Sequence, residues 1–453
     1  MSRKLFGTDG VRGIANQEPV TAETVLKLGR ALACATRAGA GDSRTRRRIL
    51  LGKDTRISGY MLETALSSGI CSTGVDVLLV GPMPTPAVAF LTVDMRCDAG
   101  AVISASHNPF EDNGIKFFAR DGFKLSDEME LEIEDMIESG GIEKFRPKAE
   151  LIGKASRVDD ALGRYVVYCK NTFPKELTLN GLEIVVDCAN GAAYKAAPLV
   201  FQELGARVTA LGVHPDGLNI NKECGSLFPQ QLCSEVRSSS GHVGIALDGD
   251  ADRVIFVDEK GREVDGDQIM GLIAGHMIAR SELKRNTLVA TVMSNIGLDL
   301  TLHEMGGRVV RTPVGDRYVV EKMRQEGLNF GGEPSGHLIF LERTTSGDGI
   351  IAALEILRIM VETGKPLSEL VSAVKMLPQV SKNVSVTAKT NFYEIPELRK
   401  AITEGEKRLE NKGRLLVRYS GTQPVCRIMA EGEDENELQI VVDLVSSAVS
   451  RHL

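Results

Sequence analysis

The sequence predicts an α/β fold: three similar mixed α/β domains followed by a smaller α+β domain. Three observations carry this. An apolar strand, a turn of small or polar residues, a helical stretch and a second apolar strand recur three times. Each helical stretch stops near a glycine. The last 75 or so residues break the pattern, and the full length of 453 residues is too long for one core and about right for three or four.

The first repeat reads RILLGKDTRISG, then helical MLETALSSGICSTG, then VDVLLVG. The second reads LEIVVDCANGAA, then YKAAPLVFQELGA, then RVTALG. The third reads TLVATVMSNIGL, then DLTLHEMGG, then RVVRTPVG. Continuous Val/Ile/Leu runs are the signature of parallel strands buried on both faces. Gly74, Gly205 and Gly306 stand where helix C-caps belong. From about Leu377 the order changes to strand QVSKNVSVTAK, helix IPELRKAITEGEKRLEN, strands GRLLVRYS and VCRIMAEG, and helix ENELQIVVDLVSSAVSRHL. An acidic helix over residues 125–138, LSDEMELEIEDMIE, precedes a link near residue 150. The domains expected are 1–152, 153–257, 258–374 and 375–453.

Composition narrows the function. A net charge of -7 argues against a nucleic-acid binder, which normally presents a basic face, but leaves room for an anionic small substrate held by a few focused arginines. The eight cysteines contain no CxxC pair and read as free, mostly buried thiols. MSRKLFGTDG has no apolar core of a signal peptide, and no run reaches the roughly 18 apolar residues of a membrane helix, so a cytoplasmic protein is expected.

The sharpest motif is LDGDADRVIFV at 247–257. Asp248, Asp250 and Asp252 alternate directly after the strand HVGIAL. Three carboxylates this close repel unless a cation lies among them, and hard oxygen ligands suit Mg²⁺. An EF-hand is excluded, because Arg253 stands where that loop needs glycine and VIFV continues as a strand. A second motif, AGAVISASHNPFEDNGIKFF at 99–118, ends a strand in an exposed-looking Ser106 beside His107, with Lys116 further on. Its hydroxyl is expected at the carboxyl end of a sheet, where open α/β folds bind ligands. Ser104 is the competing serine, set aside because it lies within the strand pattern. A plain capped turn would also account for the serine.

Three further patches carry polar chemistry. RYSGTQPVCRIMAEG places Arg418, Ser420, Gly421 and Thr422 in a loop between strands, with Arg427 on the second, which makes an anion cradle or a polar hairpin turn. GGEPSGH offers Glu333, Ser335 and His337 for sugar hydroxyls, though the histidine has an equal claim to a structural role. Arg12 in FGTDGVRG and Arg56 in GKDTRISG are either phosphate binders or ion-pair partners.

FGTDGVRG, GKDTRISG, ISASHNPFEDNGIKFF, LDGDADR, GEPSGH and RYSGTQP together, in this order, resemble the α-D-phosphohexomutases over nearly the whole chain. The resemblance implies four domains around a central cleft. It implies that Ser106 carries a phosphoryl group, and that this group with Asp248, Asp250 and Asp252 holds one Mg²⁺. Arg253 would flank the phosphoserine, Glu333 and Ser335 would read sugar hydroxyls, and Arg418, Ser420, Gly421, Thr422 and Arg427 would hold the substrate's distal phosphate. Arg12, Lys116 and His337 complete the expected catalytic set, with Lys116 and His337 preferred over His107 for proton transfer. Gln423 stands where the family commonly has glutamate, and Leu227 and Phe228 where threonine and histidine are usual.

FGTDGVRG and GEPSGH point within the family to glucosamine phosphate. The activity implied interconverts glucosamine 6-phosphate and glucosamine 1-phosphate through a hexose 1,6-bisphosphate, feeding UDP-N-acetylglucosamine and cell-wall synthesis. The bisphosphate would turn over within a cleft closed by the fourth domain. The alternative keeps the mechanism and takes glucose or mannose phosphates. Partners expected are a small sugar phosphate and a second copy in a homodimer, with no nucleic acid and no membrane. A dehalogenase-like phosphatase would need a different sequence after Asp250 and would leave Ser106 without a role.

Overall fold

The computed structural model describes residues 5–7, 9–38, 46–410, 413–420 and 424–453. Its first sheet contains β1 (Val11–Ile14), β2 (Arg48–Lys53), β3 (Asp76–Pro82), β4 (Ala99–Ile103), β5 (Asp112–Ala119) and β6 (Ala155–Arg157), in the order β1-β5-β4-β2-β3-β6. The second contains β7 (Glu183–Asp187), β8 (Arg207–Leu211), β9 (Val243–Leu247), β10 (Val254–Val257) and β11 (Glu263–Val264), in the order β11-β10-β9-β7-β8. The third contains β12 (Thr287–Thr291), β13 (Arg308–Thr312), β14 (Phe330–Gly332) and β15 (Leu338–Phe340), in the order β13-β12-β14-β15.

One topology underlies all three. The strands β5-β4-β2-β3, β10-β9-β7-β8 and β15-β14-β12-β13 follow the same order. In each, the central strand runs parallel to the strand on its hairpin side, which then turns back into an antiparallel partner. The hairpin connections are residues 104–111, 248–253 and 333–337. These are the stretches that hold Ser106, the three aspartates, and Glu333 with His337. The repeat therefore delivers three different sets of side chains from one equivalent position.

The expected elements form where the apolar runs place them. Residues of β4 and β9 are buried throughout, as strands covered on both faces must be. Gly74, Gly205 and Gly306 adopt φ of 84°, 104° and 76°, the left-handed backbone that ends a helix at little cost only for glycine. Val25, Leu28, Leu32, Leu51, Leu66 and Ile103 lie in the first domain's core, and smaller clusters around Val185 and Val289 serve the second and third.

Three local expectations need correction. Ser104 lies just beyond β4, not within it. The third repeat's helix starts at Ile296, three residues earlier than the apolar pattern suggests, because Asn295 caps it by accepting a hydrogen bond from Gly297 N. Ser106 is not exposed: it is 1% accessible.

The chain divides into two compact units, residues 1–293 with 310–372, and 294–309 with 373–453. The helix Ile296–Glu304 thus groups with the C-terminal unit. That unit contains β16 (Gln379–Ser385), β17 (Gly413–Tyr419) and β18 (Val425–Gly432), all antiparallel in the order β16-β18-β17. Leu398, Ile402, Ile428, Leu438, Val441 and Val445 from its strands and from helices Pro396–Arg408 and Glu435–His452 make its core. Among the described residues, no helix is long and apolar enough to cross a membrane.

Candidate active site

Asp248, Asp250 and Asp252 follow β9, and their alternation turns all three carboxylates to one place, with oxygens within 4.8 Å of one another. All three are buried. Ala251, between two of them, takes a left-handed φ of 58°, and its N–H donates to Asp248 O at 3.1 Å. The loop thus wraps back on itself instead of running on as a strand.

The first domain meets this loop with a hydroxyl and a cation. Ser106 Oγ donates to Asp248 Oδ2 at 2.6 Å. Lys116, on β5 and 1% accessible, donates through Nζ to Asp250 Oδ2 at 3.0 Å and Asp252 Oδ2 at 3.4 Å, and pairs with Asp9 at 3.2 Å. Thr85 Oγ1 donates to Asp250 Oδ2 at 2.7 Å. Burial works against the charged Lys116, but Asp250, Asp9 and Asp252 outweigh it and hold the ammonium charged far into the alkaline range. Lys116 is therefore a fixed positive charge here, a poor base.

The third domain contributes His337, whose Nδ1 is 3.8 Å from Asp252 and whose Nε2 is 3.5 Å from Asp316. Gly347 N donates to Nε2 at 3.1 Å, so the neutral ring keeps its proton on Nδ1, facing Asp252. Burial disfavours the imidazolium, yet Asp252, Asp316 and Glu333 raise its pKa overall. Glu333 accepts a hydrogen bond from Gly315 N at 3.0 Å, and Ser335 lies in the same hairpin connection. Lys124 bridges the first and third domains, donating to Asp9 at 2.5 Å and Asp316 at 2.6 Å. Arg12 pairs with Asp9 and donates to Ala105 O at 3.2 Å.

Arg253 Nη1 lies 3.2 Å from His107 Nδ1, which is itself 3.4 Å from Ser106 Oγ. Burial, Arg253 and Arg12 push His107 down to about 4, so its ring is neutral near pH 7. Asp248 is pushed up by burial and by Asp252 and Asp250. The protein's own cations therefore do not neutralise the triad fully. Among the described residues, Asp250 Oδ1 and Asp252 Oδ1 are buried with no hydrogen-bond partner. Orphaned buried carboxylate oxygens are costly unless something binds them, and their hard-oxygen chemistry fits a divalent cation such as Mg²⁺.

Ser106 has φ 53°, unusual for a residue with a Cβ and typically costing on the order of 1–3 kcal/mol. Close packing leaves the loop no alternative. A Cβ on Gly249 would lie 2.5 Å from Ser106 O, and one on Gly336 would lie 2.0 Å from Val254 O. The glycines of the second and third site loops are there because neighbouring backbone leaves no room.

Arg56 is an ion-pair partner of Asp54. Its guanidinium is fully buried and engaged with Asp54 and the carbonyls of the Ser106 loop. In the C-terminal unit, Arg418 lies on β17, not in the loop, and stands opposite Arg427 on β18. Burial and Arg427 push the Arg418 guanidinium pKa down, and its Nε has no hydrogen-bond partner among the described residues. Ser420 follows β17 directly; Gly421, Thr422 and Gln423 lie outside the described residues.

Sequence reading missed Asp9, Thr85, Lys124, Asn221 and Asp316. Asp9 sits within FGTDGVRG, so that motif offered a signal beside Arg12. Lys124 follows the 99–118 motif by six residues, and Thr85, Asn221 and Asp316 reach the site from remote stretches with no local signal.

Comparison with known proteins agrees with this architecture. Residues 3–143, 164–261, 265–377 and 382–447 match, in order, the phosphoglucomutase/phosphomannomutase alpha/beta/alpha domains I, II and III and C-terminal domain. The chain is 57% identical over 453 residues to the phosphoglucosamine mutase of Syntrophotalea carbinolica, covering 100% of this chain and 98% of that one. It is 58% identical over 452 residues to the phosphoglucosamine mutase of Myxococcus xanthus, with the same coverage. A phosphoglucomutase/phosphomannomutase family protein from Burkholderia thailandensis shares the fold at TM-score 0.82 and 24% identity, over 99% of this chain and 97% of that one. The N-acetylphosphoglucosamine mutase of Aspergillus fumigatus, solved with GlcNAc-6P and magnesium, does so at 0.67 and 18%, over 99% and 96%. With every family domain present in sequence and full-length relatives above half identity, the chain belongs to the phosphoglucomutase/phosphomannomutase family.

Proposed function

We infer that the protein is an intramolecular phosphotransferase interconverting glucosamine 6-phosphate and glucosamine 1-phosphate. The observation that carries the reading is the 2.6 Å hydrogen bond from Ser106 Oγ to Asp248 within a buried triad of carboxylates. A hydroxyl fixed against a cation site at the end of a strand is suited to carrying a phosphoryl group. The names of the full-length relatives supply the amino sugar.

Asp248, Asp250 and Asp252, with a phosphoryl group on Ser106, would hold one Mg²⁺. When bound, Mg²⁺ supplies neutralisation of phosphoryl charge. The remaining roles belong to side chains. Lys116 and Arg12 supply fixed positive charge. Arg253 flanks the serine and offers to a phosphoryl oxygen its Nε, which makes no hydrogen bond among the described residues and lies 3.9 Å from Asp252 Oδ1. Glu333 and Ser335 orient the sugar through its hydroxyls. Arg418 and Arg427, with Ser420, Gly421 and Thr422, hold the phosphate that is not reacting.

In the forward step the sugar hydroxyl oxygen bonds to phosphorus as the bond from phosphorus to Ser106 Oγ breaks. The proton lost by the sugar hydroxyl is balanced by the one gained on Oγ. The product is the hexose 1,6-bisphosphate. After this intermediate turns over, its other phosphoryl group returns to Ser106 by the reverse exchange. His337, whose Nε2 accepts from Gly347 N and whose Nδ1 lies 3.8 Å from Asp252, is positioned to relay the proton.

The test is a substrate panel of glucosamine, N-acetylglucosamine, glucose and mannose phosphates, run on the unaltered protein and on Ser106→Ala. Glucosamine phosphate should be turned over fastest, and the variant should retain well under a few per cent of the rate. A variant that keeps the rate would overturn the serine. Faster turnover of glucose or mannose phosphate would overturn the substrate and leave the chemistry.

A further inference from the structure

The Ser106 loop is gripped from behind by groups the proposed reaction does not use. Arg56 Nη2 donates to Ser106 O at 2.9 Å and Asn108 O at 2.8 Å. Its Nη1 donates to Asp112 O at 3.1 Å and to Pro109 O, and its Nε to Asp54 Oδ2 at 2.8 Å. All five guanidinium donors are thereby used. From the second domain, Asn221 Nδ2 donates to the same two carbonyls, Ser106 O at 2.9 Å and Asn108 O at 3.0 Å. Ser104 completes the grip. Its Oγ accepts from Ser106 N at 3.0 Å and donates to Asp54 Oδ2 at 2.6 Å.

We propose that Arg56 and Asn221 are positioning residues for phosphoryl transfer: by fixing the Ser106 and Asn108 carbonyls from two domains, they keep Ser106 in its left-handed backbone with Oγ aimed at Asp248. The inference rests on the phosphoserine reading above. A left-handed serine persists only where its surroundings over-determine it. Here both lone pairs of Ser106 O are occupied, one by each domain. Relaxation of Ser106 to a right-handed backbone would swing Oγ away from the triad and break the hydrogen bonds from both domains to Ser106 O. Lysine cannot replace Arg56, since a single ammonium has three donors and no planar fork to span four carbonyls. Displacing a reacting atom by about 1 Å typically costs on the order of 100-fold in rate.

The test uses the full chain as Arg56→Lys and Asn221→Gly, beside the unaltered protein and Ser106→Ala. Glycine is chosen because Asn221 has φ 58°, which glycine adopts freely. Each protein is incubated with glucose 1,6-bisphosphate and Mg²⁺. Phosphate on Ser106 is then read by intact mass with peptide mapping, and kcat and KM are measured separately. Both variants should lose roughly 10- to 100-fold in kcat, with KM changed by no more than about 3-fold. A merely structural role would lower the melting temperature and leave kcat per folded molecule unchanged, and that result overturns the proposal while the phosphoserine reading stands. If Arg56→Lys does not fold, Asn221→Gly decides alone. If the unaltered protein takes no phosphate on Ser106 and Ser106→Ala turns over normally, the phosphoserine reading fails and this inference with it.

Discussion

Asp348 offers a perturbation whose size follows from its surroundings. It caps the helix Gly349–Thr363, its Oδ1 accepting from Ile350 N and Ile351 N at 3.0 Å, and its Oδ2 accepts from Tyr165 OH at 2.8 Å. The next residue, Gly349, donates its N–H to Ala251 O in the aspartate loop at 3.0 Å, so the cap supports the site. Burial pushes the carboxyl up to about 6, more than these hydrogen bonds can offset. An unfolded carboxyl titrates near 3.8, and the gap is worth about 3 kcal/mol. The sign follows from the direction. Below about pH 4 the group is protonated in both states and costs nothing. As pH rises through 6 the folded chain must hold a buried carboxylate, and that stability is lost.

Asp348→Asn removes the charge and keeps the geometry. The amide oxygen can still cap the helix, and its NH₂ can donate to the Tyr165 hydroxyl. The variant should match the unaltered protein near pH 3.5 and melt higher by roughly 5 °C near pH 7.5. Calorimetry across that range reads the difference, which cancels every other titrating group. A difference that does not grow with pH, or an asparagine variant that melts lower at pH 7.5, would refute the reasoning. Asp348→Ala should melt lower at both pH values, because it strands two helix N–H groups and the Tyr165 hydroxyl.

Four further outcomes are expected. Mg²⁺ at 100 times its Kd should stabilise the fold by about 2.7 kcal/mol, seen as a rise in melting temperature by thermal shift before and after chelation, and Asp250→Asn should abolish the effect. Lys116→Met should cut kcat on the order of 100-fold yet bind Mg²⁺ more tightly by calorimetric titration, since the ammonium and the cation share the Asp250 and Asp252 oxygens. Gly249→Ala should destabilise by roughly 1–3 kcal/mol and lower turnover, because its Cβ would lie 2.5 Å from Ser106 O; unchanged unfolding would contradict that packing. Arg418→Ala should raise KM for sugar phosphate at least about 10-fold with a smaller change in kcat; an unchanged KM would remove Arg418 from phosphate binding.

Much of this was legible in the chain. The repeats could be aligned because buried parallel strands tolerate only apolar side chains, and the glycines mark where helices must stop. The aspartate triad could be read because three acids alternating after an apolar strand repel one another unless a cation lies among them. Arg56 was ambiguous, since a buried arginine looks the same in sequence whether it holds a phosphate or four carbonyls. Ser106 looked exposed because its neighbours are polar, but in the fold Asp248 takes its hydroxyl and Asn221 its carbonyl, and it is buried. Asn221 and Asp316 could not be found at all. Each lies more than a hundred residues from its partner in the first domain, and only the folded backbone brings the two together.

The equivalence of the three hairpin connections has a consequence for how such a chain can change. A strand-turn-strand at a fixed sheet position behaves as a socket, and its turn can be rewritten without altering the strands that anchor it. On the proposed reading, residues 333–336 could therefore diverge towards another sugar while His337 and residues 104–111 and 248–253 keep the phosphoryl chemistry intact. If the proposed roles hold, specificity and most of the reactivity sit on separate copies of one unit, and a library confined to residues 333–336 should shift substrate preference without touching the serine, the aspartates or His337.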